Sequence, residues 1–296
     1  MFPKIGDDAV EFKVSNIPIV STDAFVMGEH FGDYFTPYNM GYKVLAASIS
    51  DIAACGGSPK YALISIGLKS GDIEFINALY RGIQEVANLY KVEIVGGDTT
   101  KSETVFISIT VIGETKRFVG RNGARVRDAI CVTGELGGSA AGLLALKNGL
   151  VGNRHICSLH LHPTPRVKEG ETLANYATSM IDISDGLMVD LSHLLDESGV
   201  GAEIWKNKIP INEETIRIAN KFSLPPYKFA MSGGEDFELL FTIPKDKLKE
   251  IQKKVDFTKI GEIIEPKTEN RKPRIIDEEG NDIHIEGFDH FSRSLK

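Results

Sequence analysis

The sequence contains few cysteines, and this scarcity excludes a scaffold built on disulfides. Only Cys55, Cys131 and Cys157 occur among 296 residues. They are odd in number, widely spaced and form no C-x-x-C pair, so neither a disulfide framework nor a cysteine metal knuckle is predicted. We interpret them as reduced thiols that are partly buried in an ordinary fold.

Long apolar runs and a basic face are also lacking. No segment approaches the roughly 20 apolar residues that span a bilayer, and residues 1–5 lead into Gly6-Asp7-Asp8 without an apolar stretch of signal length. The net charge is −7 and the 34 Lys and Arg residues are scattered, so no patch is predicted that would neutralise a nucleic-acid backbone. We therefore expect a cytoplasmic protein that binds neither membranes nor nucleic acid.

Two common nucleotide-binding signatures are absent. The sequence has no G-x-x-x-x-G-K-[ST] loop and no G-x-G-x-x-G motif. A kinase built on this chain would therefore follow neither the P-loop design nor the protein-kinase design.

The composition and length predict two globular domains. Apolar residues make up 42% and charged residues 25%, as in ordinary globular proteins, and 296 residues is about the length of two moderate domains. Between residues 116 and 128 basic residues crowd around Gly120 and Gly123 and the apolar pattern lapses. We place the domains at residues 1–116 and 117–296, in an α+β fold of two mixed α/β domains.

Apolar periodicity predicts strands and helices in both halves. Strands are predicted at 17–22, 61–68, 104–112, 129–133, 180–183 and 237–243, and helices at 37–55, 139–147 and 187–195. Asp72 is a candidate N-cap for a further helix with apolar residues at helical spacing, which we expect to cover a sheet. His160 and His162 alternate as on a strand, and without a third ligand we interpret them as polar residues on one face.

Aspartates recur after apolar segments or beside glycines. They occur in Gly6-Asp7-Asp8, Ser21-Thr22-Asp23, Ser50-Asp51, Gly96-Gly97-Asp98, Asp182-Ile183-Ser184-Asp185-Gly186 and Gly233-Gly234-Glu235-Asp236. Each alone is explained by a turn or a helix cap. At the ends of neighbouring strands, however, carboxylates would lie close together, and two charges about 4 Å apart repel by about 4 kcal/mol at an effective dielectric of about 20. We therefore expect positive charge among them.

The residue types favour magnesium and phosphate. Carboxylates and hydroxyls, with no Cys or His at ligand spacing, suit Mg²⁺ rather than zinc. Glycine allows backbone N–H groups to approach phosphate oxygens closely. The pattern therefore predicts a site in which Mg²⁺ ions join carboxylates to an anionic nucleotide during phosphoryl transfer.

Several of these motifs, in order along nearly the whole chain, resemble those of the thiamine-monophosphate kinase family. The matching segments are Ile5 to Ala9, Ser21 to Asp23, Gly28 to Phe31, Gly41 to Lys43, Ser50 to Ala54, Gly96 to Thr100, Ile181 to Leu187 and Ser232 to Leu239. The family belongs to the superfamily of aminoimidazole-ribonucleotide synthetase. The resemblance implies ATP-dependent phosphorylation of thiamine monophosphate to thiamine diphosphate with several Mg²⁺ ions. It also implies a homodimer formed through the N-terminal sheet, and a C-terminal sheet covered by helices.

The resemblance further implies roles for individual residues. The Mg²⁺ ligands would be Asp8, Ser21, Thr22, Asp23, Asp51, Asp98, Asp182 and Asp185. Tyr80, Gly97, Arg121 and Ser184 would lie beside the nucleotide, and Arg121 and Asp185 would take part in catalysis. The thiamine phosphate would be held by His30, Glu235 and Phe288, with Phe288 stacking on an aromatic ring of the substrate.

Other functions within and outside the superfamily stay open. Selenophosphate synthetase requires a reactive cysteine or selenocysteine before the first Asp motif, and the hydrogenase-maturation protein requires a C-terminal cysteine, so we expect neither. The Ser232 to Glu238 motif speaks against aminoimidazole-ribonucleotide synthetase. A non-catalytic nucleotide-binding scaffold is the alternative of another class, although a scaffold gains nothing from so many mutually repelling acids.

Overall fold

The computed structural model describes residues 12–150, 152–266 and 274–283, which form two compact units. One unit extends to Phe118 and includes Leu161–Ala174, and the other comprises Val119–His160 and the chain from Asn175 onward. The elements of the first unit are β1 (Ile17–Val26), α1 (Pro37–Ala54), β2 (Ser58–Leu68), α2 (Ile73–Tyr90), β3 (Glu93–Lys101) and β4 (Phe106–Thr115), followed later in the chain by α5 (Val167–Leu173).

The second unit starts with β5 (Ala129–Val132). It continues with α3 (Gly138–Lys147), α4 (Arg154–Leu161), whose last residue lies in the first unit, β6 (Ser179–Asp182), α6 (Leu187–Ser198), β7 (Gly201–Ile204), α7 (Glu213–Lys221), α8 (Pro226–Ser232), β8 (Leu239–Ile243), α9 (Leu248–Ile251), β9 (Thr258–Ile264) and β10 (Ile275–Ile276). Every strand and helix predicted from periodicity is present, with bounds that differ by a few residues, so the mixed α/β organisation is confirmed for both units.

In the first unit, the described strands form a sheet in the order β1-β4-β2-β3. Only β2 and β3 run parallel; β1 and β2 are antiparallel to β4. Alternate residues of the strands are buried, among them Ile19, Ile64, Ile107 and Ile109. This alternation arises because successive side chains of a strand point to opposite faces, and the buried face packs against α1.

Helix α2 packs chiefly on α1, and the prediction that it covers a sheet is wrong. Helix α1 lies between α2 and the sheet and is buried along most of its length. The two helices approach closely at two glycines. A Cβ atom on Gly41 would lie 1.9 Å from the carbonyl oxygen of Leu79, and one on Gly82 would lie 2.0 Å from that of Tyr38. The predicted N-cap of α2 is confirmed, since the Asp72 carboxylate accepts from the N–H groups of Glu74 and Phe75.

The described strands of the second unit form a sheet in the order β10-β7-β9-β5-β8-β6. Its pairs are antiparallel except β10 with β7. A core of aliphatic residues, including Ile130, Leu191 and Leu240, fills the space between this sheet and helix α6. In the described chain, no helix is both long enough and apolar enough to cross a membrane.

The close crossing of α1 and α2 predicts the effect of adding one methyl group. Alanine is favoured over glycine by about 1 kcal/mol inside a helix, so propensity alone predicts that Gly82→Ala stabilises the protein. The added Cβ would instead collide with backbone, and we expect a net loss of about 2 kcal/mol in the free energy of unfolding, measured by urea denaturation.

Gly71→Ala is the control, because a Cβ there meets no atom within 4 Å. It should change the unfolding free energy by less than about 0.5 kcal/mol. A Gly82→Ala protein as stable as the wild type would contradict the proposed close packing.

Candidate active site

A polar strip connects β1 to α1 within the otherwise apolar core of the first unit. Ser21 and Asp23 alternate along β1 with exposed residues, so their side chains face α1. The Ser21 hydroxyl donates to the carboxylate of Asp51, and the Asp23 carboxylate lies near Ser48, whose hydroxyl donates to the carbonyl of Val44 at 3.0 Å. The structure therefore places three of the predicted metal-binding residues together between one strand and one helix.

Asp23 is the acid of this strip whose charge is least compensated. Burial raises the pKa of the Asp23 carboxyl above its ordinary value, and the nearby Ser48 hydroxyl opposes this rise. Its Oδ2 atom is buried and has no hydrogen-bond partner among the described residues. A buried acceptor without a partner costs free energy, and an ionised one costs more. The position therefore favours a proton or a cation beside Asp23.

Thr22 and Asp98 lie apart from this strip. The Thr22 hydroxyl is hydrogen-bonded to the carbonyl of Ile109 and to the hydroxyl of Thr110, on the face away from α1. Asp98 is exposed in β3. Strands β1 and β3 are the opposite edges of the described sheet. Three strand spacings of roughly 4.8 Å separate them, so the backbones of Asp23 and Asp98 lie about 14 Å apart. The expected proximity of acids on neighbouring strands does not hold for this pair.

Gly97 has a backbone geometry that only glycine tolerates. Its φ angle is +151°, and a Cβ atom there would lie 1.8 Å from the carbonyl oxygen of Ile64 on β2. The Gly96 to Thr100 motif therefore lies within strand β3 rather than in the turn that its glycines favour.

His30 and Tyr80 occupy different elements of the first unit. His30 follows β1, and its Nδ1 accepts from the N–H of Val26 at 3.1 Å, which places the proton of the neutral ring on Nε2. Tyr80 lies on α2 and is half-buried; burial raises the pKa of its hydroxyl above the ordinary value. The structure therefore places these two predicted residues on separate parts of the first unit, one after β1 and one on α2.

In the second unit, Asp182, Ser184, Asp185 and Glu235 lie on two adjoining segments. Asp182 ends β6 and is 4% exposed, and Ser184 and Asp185 follow it in the loop before α6. Residues 235–238 run alongside, since the N–H of Glu235 donates to the carbonyl of Ser184 at 2.8 Å. In addition, the N–H of Phe237 donates to the carbonyl of Ile183, and the N–H of Ile183 donates to the carbonyl of Glu238. The structure thus brings the Asp182–Asp185 and Glu235 motifs together.

Glu235 has a left-handed backbone and a buried histidine beside it. Its φ angle is 65°, an uncommon value for a residue other than glycine. His160 is 2% exposed, and its Nδ1 lies 3.4 Å from Glu235 Oε2 and 3.0 Å from Ser139 Oγ. Serine and glutamate thus approach the same ring nitrogen, whereas a nucleophilic triad uses opposite nitrogens. The trio is therefore no serine-hydrolase site.

His160 and His162 do not lie on a strand, and the interpretation that they are polar residues on one face is wrong. His160 is in helix α4 and belongs to the second unit, while His162 follows the helix and belongs to the first. His162 Nε2 is 3.0 Å from Asn39 Oδ1, and its ring packs on Tyr42. The two histidines therefore do not share a face.

Two acids, Asp236, which is partly exposed, and Asp190, which is buried, have structural roles that the sequence did not predict. Asp236 accepts from the N–H groups of Gly137 and Ser139, at 2.6 and 3.0 Å, where α3 begins. Burial raises the pKa of Asp236 to about 7, against the effect of these donors. Asp190 is 2% exposed in the first turn of α6; burial and the Asp185 charge raise its pKa to about 7. For Asp190, the sequence signal that could have indicated this role is an acid in the first turn of an apolar helix.

The remaining predicted residues have simpler settings. Arg121 is exposed, and its carbonyl oxygen accepts from Ser198 Oγ at 2.8 Å. Asp8 and Phe288 lie outside the described residues. Within the described ranges, no group of three or more His, Cys, Asp or Glu side chains could hold a metal ion by itself.

Two family models match the chain in succession. Residues 6–115 match the N-terminal domain of AIR synthase related proteins, and residues 125–272 match the C-terminal domain. Hydrogenase maturation protein HypE in complex with ATP, a solved structure 18% identical, has a TM-score of 0.78, which shows a shared fold.

More similar relatives carry a specific name. Thiamine-monophosphate kinase of Aquifex aeolicus is 36% identical over 97% of this chain and 92% of its own length. That of Bacillus subtilis is 34% identical over 97% of this chain and 93% of its own length. A solved structure described as AaThiL complexed with AMPPCP and TMP has a TM-score of 0.84 and 35% identity, covering 93% of this chain and 87% of that one. The chain therefore belongs to the thiamine-monophosphate kinase family, within the AIR synthase related proteins.

Proposed function

We propose that the protein transfers the γ-phosphoryl group of ATP to thiamine monophosphate in the cytoplasm, giving thiamine diphosphate and ADP. The observation that carries this proposal is likeness over nearly the full length to thiamine-monophosphate kinases, one of which binds an ATP analogue together with TMP. The adjoining loops that carry Ser184, Asp185 and Glu235 support it, because they retain the family's motifs in one connected structure.

Magnesium fits the donor set of the chain. Mg²⁺ is commonly held by one or two carboxylates together with substrate phosphates, rather than by a cage made only of protein. Among the described residues no three His, Cys, Asp or Glu side chains cluster as a metal cage, and Asp23 has a buried oxygen that lacks a partner there. We assign the ligands to Asp8, Ser21, Thr22, Asp23, Asp51, Asp98, Asp182 and Asp185. Bound Mg²⁺ would neutralise phosphate charge during transfer.

The reaction needs positioning more than activation of the acceptor. The acceptor phosphate oxygen is already ionised at neutral pH. It forms a bond to the γ-phosphorus while the bond from that phosphorus to the β,γ-bridging oxygen breaks, in line and without a phosphoenzyme. The exposed Arg121 guanidinium would screen the negative charge, and Tyr80, Gly97 and Ser184 would contact the nucleotide.

The acceptor would be held by His30, Glu235 and Phe288. The ring of His30 is oriented by the N–H of Val26, which donates to its Nδ1. The Glu235 carboxylate suits the cationic thiazolium ring or an amino group of thiamine. Phe288 would stack on an aromatic ring of the substrate.

Acceptor dependence provides the direct test of this function. Purified protein with ATP and Mg²⁺ should release ADP with thiamine monophosphate and not with thiamine or without an acceptor. Asp185→Asn should lose more than about 100-fold in kcat while retaining the circular-dichroism spectrum of the wild type. Release of ADP without the acceptor, or near-normal turnover by Asp185→Asn at saturating Mg²⁺, would contradict the proposal.

We also propose that two copies associate through the first unit's sheet. Val20, Thr22 and Ala24 are exposed on the face of β1 away from α1, and Val20 is 64% exposed. An exposed apolar residue on a strand face is consistent with burial against a second copy, as the family resemblance implies.

Charge on this face should dissociate the dimer. Val20→Glu places a carboxylate where two copies would meet, and we expect light scattering with size-exclusion chromatography to report a dimer for the wild type and a monomer for the variant. Ile73→Glu is the matched control, because Ile73 is 66% exposed but lies on α2. A monomeric wild type, or equal dissociation of both variants, would refute this interface.

A further inference from the structure

The Asp190 carboxylate is bound by three consecutive backbone amides. Asp190 is 2% exposed, and its Oδ2 accepts from the N–H groups of Ser184 and Asp185 at 3.0 Å each and of Gly186 at 3.1 Å. The residue stands in the first turn of α6 and reaches back over the helix start, where the helix dipole favours negative charge.

This arrangement has the form of an anion-binding site whose anion is part of the chain. Successive N–H groups that converge on one point form the concavity with which many proteins bind phosphate. Here a carboxylate oxygen of Asp190 occupies that point. The three amides are therefore committed to Asp190 and are not offered to a nucleotide phosphate.

Carbonyl groups of the same loop, at Ile183, Ser184 and Gly186, are also hydrogen-bonded within the protein. The carbonyl of Ser184 accepts from Glu235, that of Ile183 from Phe237, and that of Gly186 from Asp190. A Cβ atom on Gly234 would lie 2.4 Å from the carbonyl oxygen of Ser184, so the two segments are in close backbone contact. With these backbone groups satisfied internally, the loop presents ligands through its side chains.

We propose that Asp190 is a positioning residue that fixes the backbone of residues 184–186, so that the side chains of Ser184 and Asp185 are preorganised for nucleotide and Mg²⁺. The inference rests on the proposed function for the identity of the ligand. Asp190 itself contacts neither ligand in this scheme, because its Oδ2 is occupied and the residue is almost fully buried.

Hydrogen exchange tests the contact independently of catalysis. In the wild type the amides of residues 184–186 should exchange slowly. In Asp190→Ala, which removes the acceptor, they should exchange at least about tenfold faster, whereas Asp190→Asn retains a carbonyl oxygen of the same shape and should keep most of the protection. Asp196→Asn is the control, because Asp196 is exposed on the same helix.

Ligand measurements then test positioning. Groups that orient metal ligands commonly contribute 10–100-fold to metal affinity or activity, so Asp190→Ala should bind Mg²⁺ with a non-hydrolysable ATP analogue about 10–100-fold more weakly by calorimetry. The KM for thiamine monophosphate should stay within about twofold, and Asp190→Asn should recover most of the affinity.

The outcomes separate this inference from the proposed function. Failure of the wild type to phosphorylate thiamine monophosphate would refute the proposed function, while the exchange and calorimetric results would still report on Asp190. Wild-type exchange and nucleotide affinity in a folded Asp190→Ala would overturn the inference. If Asp190→Ala does not fold, Asp190→Ser decides, because its side chain is too short to reach all three amides: faster exchange at residues 184–186 together with weaker nucleotide binding would support the inference, and any other combination of the two results would overturn it.

Discussion

The structure depends on carboxylates that are withdrawn from water. Transfer of an ionised group into a protein interior is costly unless hydrogen bonds or an opposite charge compensate it. Asp190 accepts hydrogen bonds from three backbone N–H groups and Asp236 from two, so backbone donors compensate each of these carboxylates. Asp23 differs, because one of its buried oxygens has no partner among the described residues. The degree of compensation therefore distinguishes acids that hold the fold from an acid suited to a ligand.

Close backbone contacts fix where these acids lie. Gly41 and Gly82 let α2 approach α1, the helix that carries Asp51, and Gly234 lets the Glu235 segment lie against the loop of Ser184. A side chain at any of these glycines would separate segments that now touch. Precise placement of charged groups thus depends on residues that carry no chemistry themselves.

Local patterns predicted the elements well because periodicity and caps are local properties. Helix α1, the Asp72 cap and strands β1, β2, β4, β5, β6 and β8 follow from them. Strand β3 was not predicted, because Gly96, Gly97 and Asp98 favour a turn, and pairing with β2 overrides that preference. Strand β1 continues to Val26 rather than ending at Thr22, because pairing with β4 accommodates the polar Asp23.

Spatial relations were predictable only in part. The motif order indicated the family and most candidate residues. Strand order is set by long-range pairing, so the sequence did not indicate that β1 and β3 lie at opposite edges of the described sheet. Nor did it indicate that Asp190 binds the loop of Asp185, because a buried acceptor for three amides looks in sequence like an ordinary acid at a helix start. The return of residues 161–174 to the first unit has no sequence signal either.

The most direct test is calorimetric titration of the wild-type protein with a non-hydrolysable ATP analogue, in Mg²⁺ and in a chelator of divalent cations. If buried carboxylates such as Asp23 are compensated by cations that also hold nucleotide, binding should require Mg²⁺ and fall by at least about 100-fold in the chelator. Equal affinity in both conditions would contradict the assignment of these acids to a metal-dependent nucleotide site.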